Sequence, residues 1–260
     1  MASELKLGTF LSLGSPMVAE VCAKHAFDWI LIDGEHGAGA SEEAVFRQLQ
    51  AMGQTAAKKI VRLGEPSHAQ IQHALDWGAD GLMIPHVDTP EIARRALDSM
   101  LYPPQGRRGY SRSVRAFGYG TALPDSPPKP MLFAQIETLE AVENAGEIAS
   151  IDGVDVLFVG PADLAFDLKA RGSTLTVDAL LPCVAEAARK SGKSAGILTR
   201  DDAEIAPRLA LGYTHQAVDS DLGILRRRWA ALTGKPRPDA DRLLRGSRSG
   251  GRVEMTGDWT

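Results

Sequence analysis

Eight short apolar runs punctuate this chain at intervals that leave room for one helix between each pair. They fall at 5–13 (LKLGTFLSL), 29–32 (WILI), 58–62 (KKIVR), 81–84 (GLMI), 131–136 (MLFAQI), 154–159 (VDVLFV), 194–197 (SAGI) and 214–218 (THQAV). A run such as Trp29-Ile30-Leu31-Ile32 has no polar alternation, so it fits a strand covered on both faces, as in a parallel sheet. Between the runs lie amphipathic stretches, predicted as helices near 16–25, 41–52, 67–77, 89–100, 138–148, 177–191 and 201–211, with an eighth from about 220. Strands that alternate with helices need a parallel sheet and crossover connections, and eight such units predict an α/β fold, a (β/α)8 TIM barrel. Helix signals agree. Ser41, Thr89-Pro90-Glu91 and Asp201-Asp202 read as starts, and "WGADG" (77–81) and "LGYTH" (211–215) as glycine stops leading into the next strand.

Residues 1–245 are expected to form this one barrel, and "GSRSGGRVEMTGDWT" (246–260), poor in apolar residues, a C-terminal tail. A chain of 260 residues with 44% hydrophobic content can fill a single large core. The net charge of −4 gives no reason to expect nucleic acid as a partner. No run approaches the ~20 apolar residues of a membrane span, so no membrane partner is expected. "MASELKLGTF" lacks the shape of a signal peptide, and Cys22 and Cys183 lie far apart, so the expected compartment is the cytoplasm. Residues 101–130, rich in Pro, Gly and Arg, form a long connection before the fifth strand. Arg107, Arg108, Arg112 and Arg115 in it could steer anionic aldehydes or pair acids at a subunit interface.

In such a barrel, chemistry collects at the carboxyl ends of the strands. Asp33, Glu35 and His36 follow the second strand in "DWILIDGEHG"; Arg62 ends the third; Gln135 and Glu137 end the fifth; "GPADLA" puts Gly160, Pro161, Ala162 and Asp163 after the sixth. Gln135 and Glu137 are two apart and share a face. Glu137 and Asp163, from adjacent strands, could share a hard divalent cation such as Mg²⁺ or Mn²⁺, or one of them could pair with Arg62. The turn opening the helix at Gly160–Asp163 offers N–H groups to a small anion, or is only an acidic cap. His36 stands among acids where proton transfer is expected, and His86, near the end of the fourth strand, also lies near the rim. Lys58, Lys59 and Lys193 begin or precede their strands, so no lysine is placed to form an iminium at the mouth.

"DWILIDGEHG", "VRLGEPSHAQIQHALDWGADGLMIPHVDTPEIARRA", "YPPQGRRGYS" and "AQIETLEAVENAGEIASIDGVDVLFVGPADLA" together resemble, in order and spacing from about residue 5 to about 230, the metal-dependent class II pyruvate aldolases of the HpcH/HpaI type. The resemblance implies a phosphoenolpyruvate/pyruvate-type barrel. It further implies reversible aldol cleavage of 4-hydroxy-2-oxo acids to pyruvate and an aldehyde, with Mg²⁺, Mn²⁺ or Co²⁺ as cofactor. By its implications Glu137 and Asp163 are the metal ligands. Arg62 binds the pyruvate oxygen, Gln135 lies beside it, and the Gly160-Pro161-Ala162-Asp163 turn takes the carboxylate. His36 transfers the proton with Asp33 beside it and Asp76 as its paired aspartate. A homo-oligomer is implied too, a hexamer built as a trimer of dimers. Malyl- or citramalyl-CoA lyase chemistry on the same barrel, oxaloacetate decarboxylation as a side activity, and a non-catalytic keto-acid binder are the alternatives. Where many members have proline and asparagine after "GEH", this chain has Gly37-Ala38-Gly39-Ala40, which leaves the acceptor aldehyde open.

Overall fold

The computed structural model describes residues 4–38 and 40–234; the proposed tail at 246–260 lies outside the described residues. Eight parallel strands close a barrel in sequence order: β1 (Lys6–Leu11), β2 (Trp29–Gly34), β3 (Lys58–Leu63), β4 (Gly81–Ile84), β5 (Met131–Ile136), β6 (Val156–Val159), β7 (Ser194–Thr199) and β8 (Tyr213–Ser220), with β8 pairing back to β1. Around them run α1 (Pro16–Cys22), α2 (Glu42–Met52), α3 (His68–Asp76), α4 (Pro90–Met100), α5 (Leu139–Glu143), α6 (Ala145–Ala149), α7 (Pro161–Ala170), α8 (Val177–Lys190), α9 (Ile205–Ala210) and α10 (Asp221–Thr233).

Short polar side chains start many of these helices. Ser15, Ser41, Ser67, Thr138, Thr176 and Ser220 each accept a backbone N–H from three residues on, satisfying a donor the helix itself cannot. Thr89 makes no such bond; Pro90 at the first helical position sets that start instead. The predicted glycine stops hold: Gly78 and Gly212 have φ of +99° and +101°, a conformation open to glycine. Two predicted elements are more divided than the sequence suggests. The helix expected over 138–148 breaks at Asn144, whose side-chain amide donates to the Asp88 carbonyl. Strand β6 is followed by two helices, α7 and α8, rather than one.

The core has two compartments. Leu49, Ile71, Leu97, Ile148, Leu181 and their neighbours fill the space between strands and helices. Phe10, Trp29, Leu31, Ile60, Met83, Phe133, Val156, Phe158 and Ala217 fill the barrel interior. Aromatic rings dominate that interior: Phe10, Trp29, Phe133 and Phe158 meet at centroid distances between 5.4 and 6.4 Å. The lower barrel is therefore solid. Side chains alternate along a strand, so the inward series 29, 31 leads up to Asp33, Ile60 leads to Arg62, and Phe133 leads to Gln135. The same alternation that packs the floor delivers polar groups to the rim.

The long connection 101–130 joins the end of α4 to the start of β5, which places it at the opposite end from the carboxyl ends of the strands. There Arg115 donates to the carbonyls of Trp77 and Leu49, Arg107 pairs with Asp98, and Arg108 pairs with Asp76. Arg107, Arg108 and Arg115 are thus remote from the mouth of their own barrel. A cavity of about 510 Å³ lined by Lys58, Lys59, Asp80, Arg115, Phe117 and Met131 lies at this end, away from the rim residues.

Candidate active site

Asp33 and Arg62 are register partners on adjacent strands, and their side chains interlock. Arg62 Nε donates to Asp33 Oδ1 at 3.0 Å and Nη2 lies 2.9 Å from Oδ2. Asp33 Oδ1 also accepts the N–H groups of Glu35 and His36, each at 3.1 Å, so one carboxylate both pins the arginine and folds the "DGEHG" turn. Both residues are buried, at 5% and 7% exposure. Burial pushes the Asp33 carboxyl up, but the Arg62 hydrogen bond and charge, with the two backbone donors, outweigh it and hold the group below the ordinary aspartate range.

The structure gives Glu35 a place in the cluster. Its Oε2 lies 2.9 Å from Arg62 Nη1, a charge contact whose alignment leaves that buried oxygen without a hydrogen bond. The signal was present: 29, 31, 33 and 35 share one parity, so Glu35 continues the inward series past the strand end. His36 breaks the parity. It stands in the loop with its side chain 65% exposed and Nε2 3.7 Å from Glu35 Oε2.

Glu137 is almost fully buried, at 1%. Its Oε1 accepts the His86 N–H at 2.7 Å. Burial raises its pKa first; the His86 contacts oppose the rise, and the charges of Asp163 and Glu35 add to it. Gln135, below it on β5, is buried as well, and its Oε1 has no hydrogen-bond partner. Across the gap stands Gly160. A Cβ there would fall 2.7 Å from Glu137 Oε2 and 3.0 Å from Gln135 Nε2, so the space these groups face exists because position 160 carries no side chain.

The anion-binding turn needs one correction. Of the four residues assigned to it, the Gly160 N–H is already donated to Ile136 O and Pro161 has none. No side chain caps α7, so the N–H groups of Ala162 and Asp163 are the ones free to point at the mouth.

Asp76 is not brought to His36 within the chain. It ends α3 at the far end of the barrel and is paired with Arg108 Nη2 at 2.7 Å, while that guanidinium lies 4.6 Å from the Tyr102 ring centroid.

The sequence left open whether Glu137 or Asp163 pairs with Arg62. Among the described residues Arg62 pairs with Asp33 and Glu35 and with neither of those two. The rim therefore sets four carboxylates (Asp33, Glu35, Glu137, Asp163) against one guanidinium. Among the described residues no three His, Cys, Asp or Glu side chains form a closed metal cage. Glu137, which feels the charge of Asp163, and the Gln135 amide, whose oxygen has no partner, are oxygen donors of the kind taken by a hard cation that keeps several waters or takes oxygens from a substrate. The donor set fits such an ion.

A family model described as HpcH/HpaI aldolase/citrate lyase matches residues 6–227. The chain belongs to this family. It is 40% identical over 204 residues to a 4-hydroxy-2-oxovalerate aldolase of Novosphingobium aromaticivorans, covering 76% of this chain and 77% of the relative. It is 37% identical to a hydroxypyruvate/pyruvate aldolase of Deinococcus radiodurans, covering 85% and 82%. Among solved structures, an HpcH/HpaI aldolase/citrate lyase family protein from Burkholderia cenocepacia superposes with a TM-score of 0.80 at 32% identity, covering 89% of this chain and 95% of that one.

Proposed function

We propose that this protein is a carbon–carbon lyase that cleaves 4-hydroxy-2-oxo acids reversibly to pyruvate and an aldehyde, with Mg²⁺, Mn²⁺ or Co²⁺ held by Glu137 and Asp163. One observation carries the reading: an excess of buried carboxylate charge, with Glu137 already destabilised as an anion, faces a gap kept open by Gly160. Bound there, the cation would supply Lewis acidity at the 2-oxo group.

The chain's own groups account for the rest. The N–H groups of Ala162 and Asp163, at the positive end of α7, hold the pyruvate carboxylate. Arg62 has five N–H donors; Nε donates to Asp33, while Nη2 and Nη1 lie beside Asp33 and Glu35, and the remaining N–H groups of the two terminal nitrogens serve where negative charge grows on the oxygen at C2. Asp33 fixes that guanidinium, and Gln135 borders the same gap. His36 takes the proton from the C4 hydroxyl as the C3–C4 bond breaks. The bonding pair passes into the C2 carbonyl and the aldehyde departs. Protonation at C3 then completes pyruvate, and His36 holds the proton that step consumes. Lys58 and Lys59 sit at the amino-terminal end of β3 and Lys193 just before β7, consistent with a route that needs no iminium.

Asp76 serves His36 only if it comes from another subunit, so the active enzyme is proposed to be a homo-oligomer, a hexamer of three dimers. No helix of the described residues is long and apolar enough to cross a membrane, and Cys22 and Cys183 are both free thiols; cytoplasmic residence is proposed from these. The test is pyruvate release from a panel of 4-hydroxy-2-oxo acids, read through lactate dehydrogenase. Activity should vanish with EDTA and return with Mg²⁺, Mn²⁺ or Co²⁺, but not in Glu137→Ala or Asp163→Ala. Full turnover by either variant after exhaustive chelation would refute the metal site.

A further inference from the structure

His86 has a left-handed backbone, φ +48°, a region uncommon for residues other than glycine, although asparagine, aspartate and histidine enter it more readily than the rest. Such strain persists only where the surroundings dictate it. Here they do. Val87 N–H donates to Gln135 O at 3.1 Å, Asp88 N–H donates to His86 O at 2.9 Å, Thr138 Oγ1 donates to Asp88 Oδ1 at 2.6 Å, and Asn144 Nδ2 donates to Asp88 O at 2.8 Å. The exit of β4 is thus bolted to the exit of β5, the strand that carries Gln135 and leads into Glu137.

The result of the bend is specific. It turns the His86 N–H onto Glu137 Oε1 at 2.7 Å. The ring follows, with Nδ1 3.2 Å from the same oxygen, a contact that does not meet hydrogen-bond alignment. The ring is otherwise 60% exposed at the mouth. One carboxylate oxygen is therefore occupied by His86, and the other, Oε2, is the one that borders the gap at Gly160.

We propose that His86 is a positioning residue for Glu137: its left-handed backbone holds Oε1 and so commits Oε2 to the divalent cation. The inference rests on the reading of Glu137 as a metal ligand. The backbone N–H does the holding, and the imidazole is secondary. A partner that orients a ligating carboxylate typically changes metal affinity by ~10- to 100-fold when lost.

The test separates backbone from ring. His86→Gly keeps the left-handed conformation and the N–H but deletes the imidazole; His86→Asn tolerates the same conformation. His86→Val keeps bulk, yet a β-branched side chain disfavours positive φ. Mn²⁺ binding to the whole enzyme is followed by loss of the free-ion EPR signal, with thermal unfolding measured in parallel and Glu137→Gln as reference. The Gly and Asn variants should bind Mn²⁺ within about threefold of wild type, and the Val variant ~10-fold or more weaker, with turnover returning at high Mn²⁺. Val binding like wild type would overturn the proposal, as would Gly binding as weakly as Val, which would give the task to the ring. If Glu137→Gln leaves Mn²⁺ affinity unchanged, the metal reading falls and this inference with it.

Discussion

Replacing Arg62 by methionine removes the charge and keeps much of the volume. Arg62 makes three close contacts to acids, at 3.0 and 2.9 Å to Asp33 and 2.9 Å to Glu35. Without it, two buried carboxylates remain side by side with no counter-charge. Removing one partner from a buried pair costs ~3–5 kcal/mol, so Arg62→Met should lower the urea midpoint markedly near neutral pH. The loss should shrink in acid. In the wild type the Asp33 carboxyl is held below its ordinary range, so its stabilisation is present above the unfolded-state value of about 3.9 and is lost as pH falls through the folded-state value. In the variant, burial is no longer opposed by Arg62, protonation occurs at higher pH, and the difference between the proteins closes. The second substitution separates structure from catalysis. Asp33→Asn on top of Arg62→Met deletes the orphaned charge, and its amide oxygen can still accept the N–H groups of Glu35 and His36. Stability should partly recover. Activity should not: losing a preorganised charge at a developing oxyanion costs about 3 kcal/mol, a fall of ~10²–10³ in kcat/KM. Deuterium exchange at the pyruvate methyl, followed by NMR, should stay depressed in both variants because it needs only enolisation. If the double variant exchanges at the wild-type rate, Arg62 is a structural counter-ion and its assigned chemistry is wrong.

His215, packed against Phe133 at 5.9 Å inside the barrel, is depressed by burial to about 4. It is neutral when folded, whereas the unfolded chain takes up a proton below about 6.5, so stability should be lost between those values, by about 3 kcal/mol in all. His215→Gln should flatten the decline in urea midpoint between about pH 7 and about pH 5; an unchanged slope would show that the ring titrates in the folded state. For Asp76, His36→Ala and Asp76→Ala should each be nearly inactive, and co-expressed mixed oligomers should regain part of the activity where an intact His36 meets an intact Asp76. Verified mixed particles as inactive as their parents would show that this pair does not cross the interface.

The barrel was legible because both of its periodicities are written plainly. Runs such as Trp29–Ile32 have no polar break, and the helices between them carry caps such as Ser41 and stops such as Gly78. The rim was legible for a related reason: Asp33, Arg62 and Gln135 lie at even steps above apolar inward positions. What escaped was set by contacts distant in sequence. The role of Glu35 depends on an arginine on the next strand. The grip of His86 on Glu137 needs a backbone conformation that the residue type does not announce. The loss of Gly160 from the anion turn follows from a ladder bond to Ile136. Asp76 reads as a partner of His36 by family pattern, yet topology carries it to the other end of its own barrel, where Arg108 claims it.

The aromatic plug of Phe10, Trp29, Phe133 and Phe158 makes the barrel a vessel with one opening. Every reactant enters and leaves by the mouth. On the proposed chemistry the keto acid occupies the depth, against Glu137 and the start of α7, and an aldehyde can only lie above it. In the condensation direction the keto acid must therefore arrive first. In cleavage the aldehyde must leave before pyruvate can follow. The packing that holds the floor together thus sets the queue: an excess of aldehyde can block the entrance to the free enzyme, while pyruvate, once seated, waits below for whichever partner comes next.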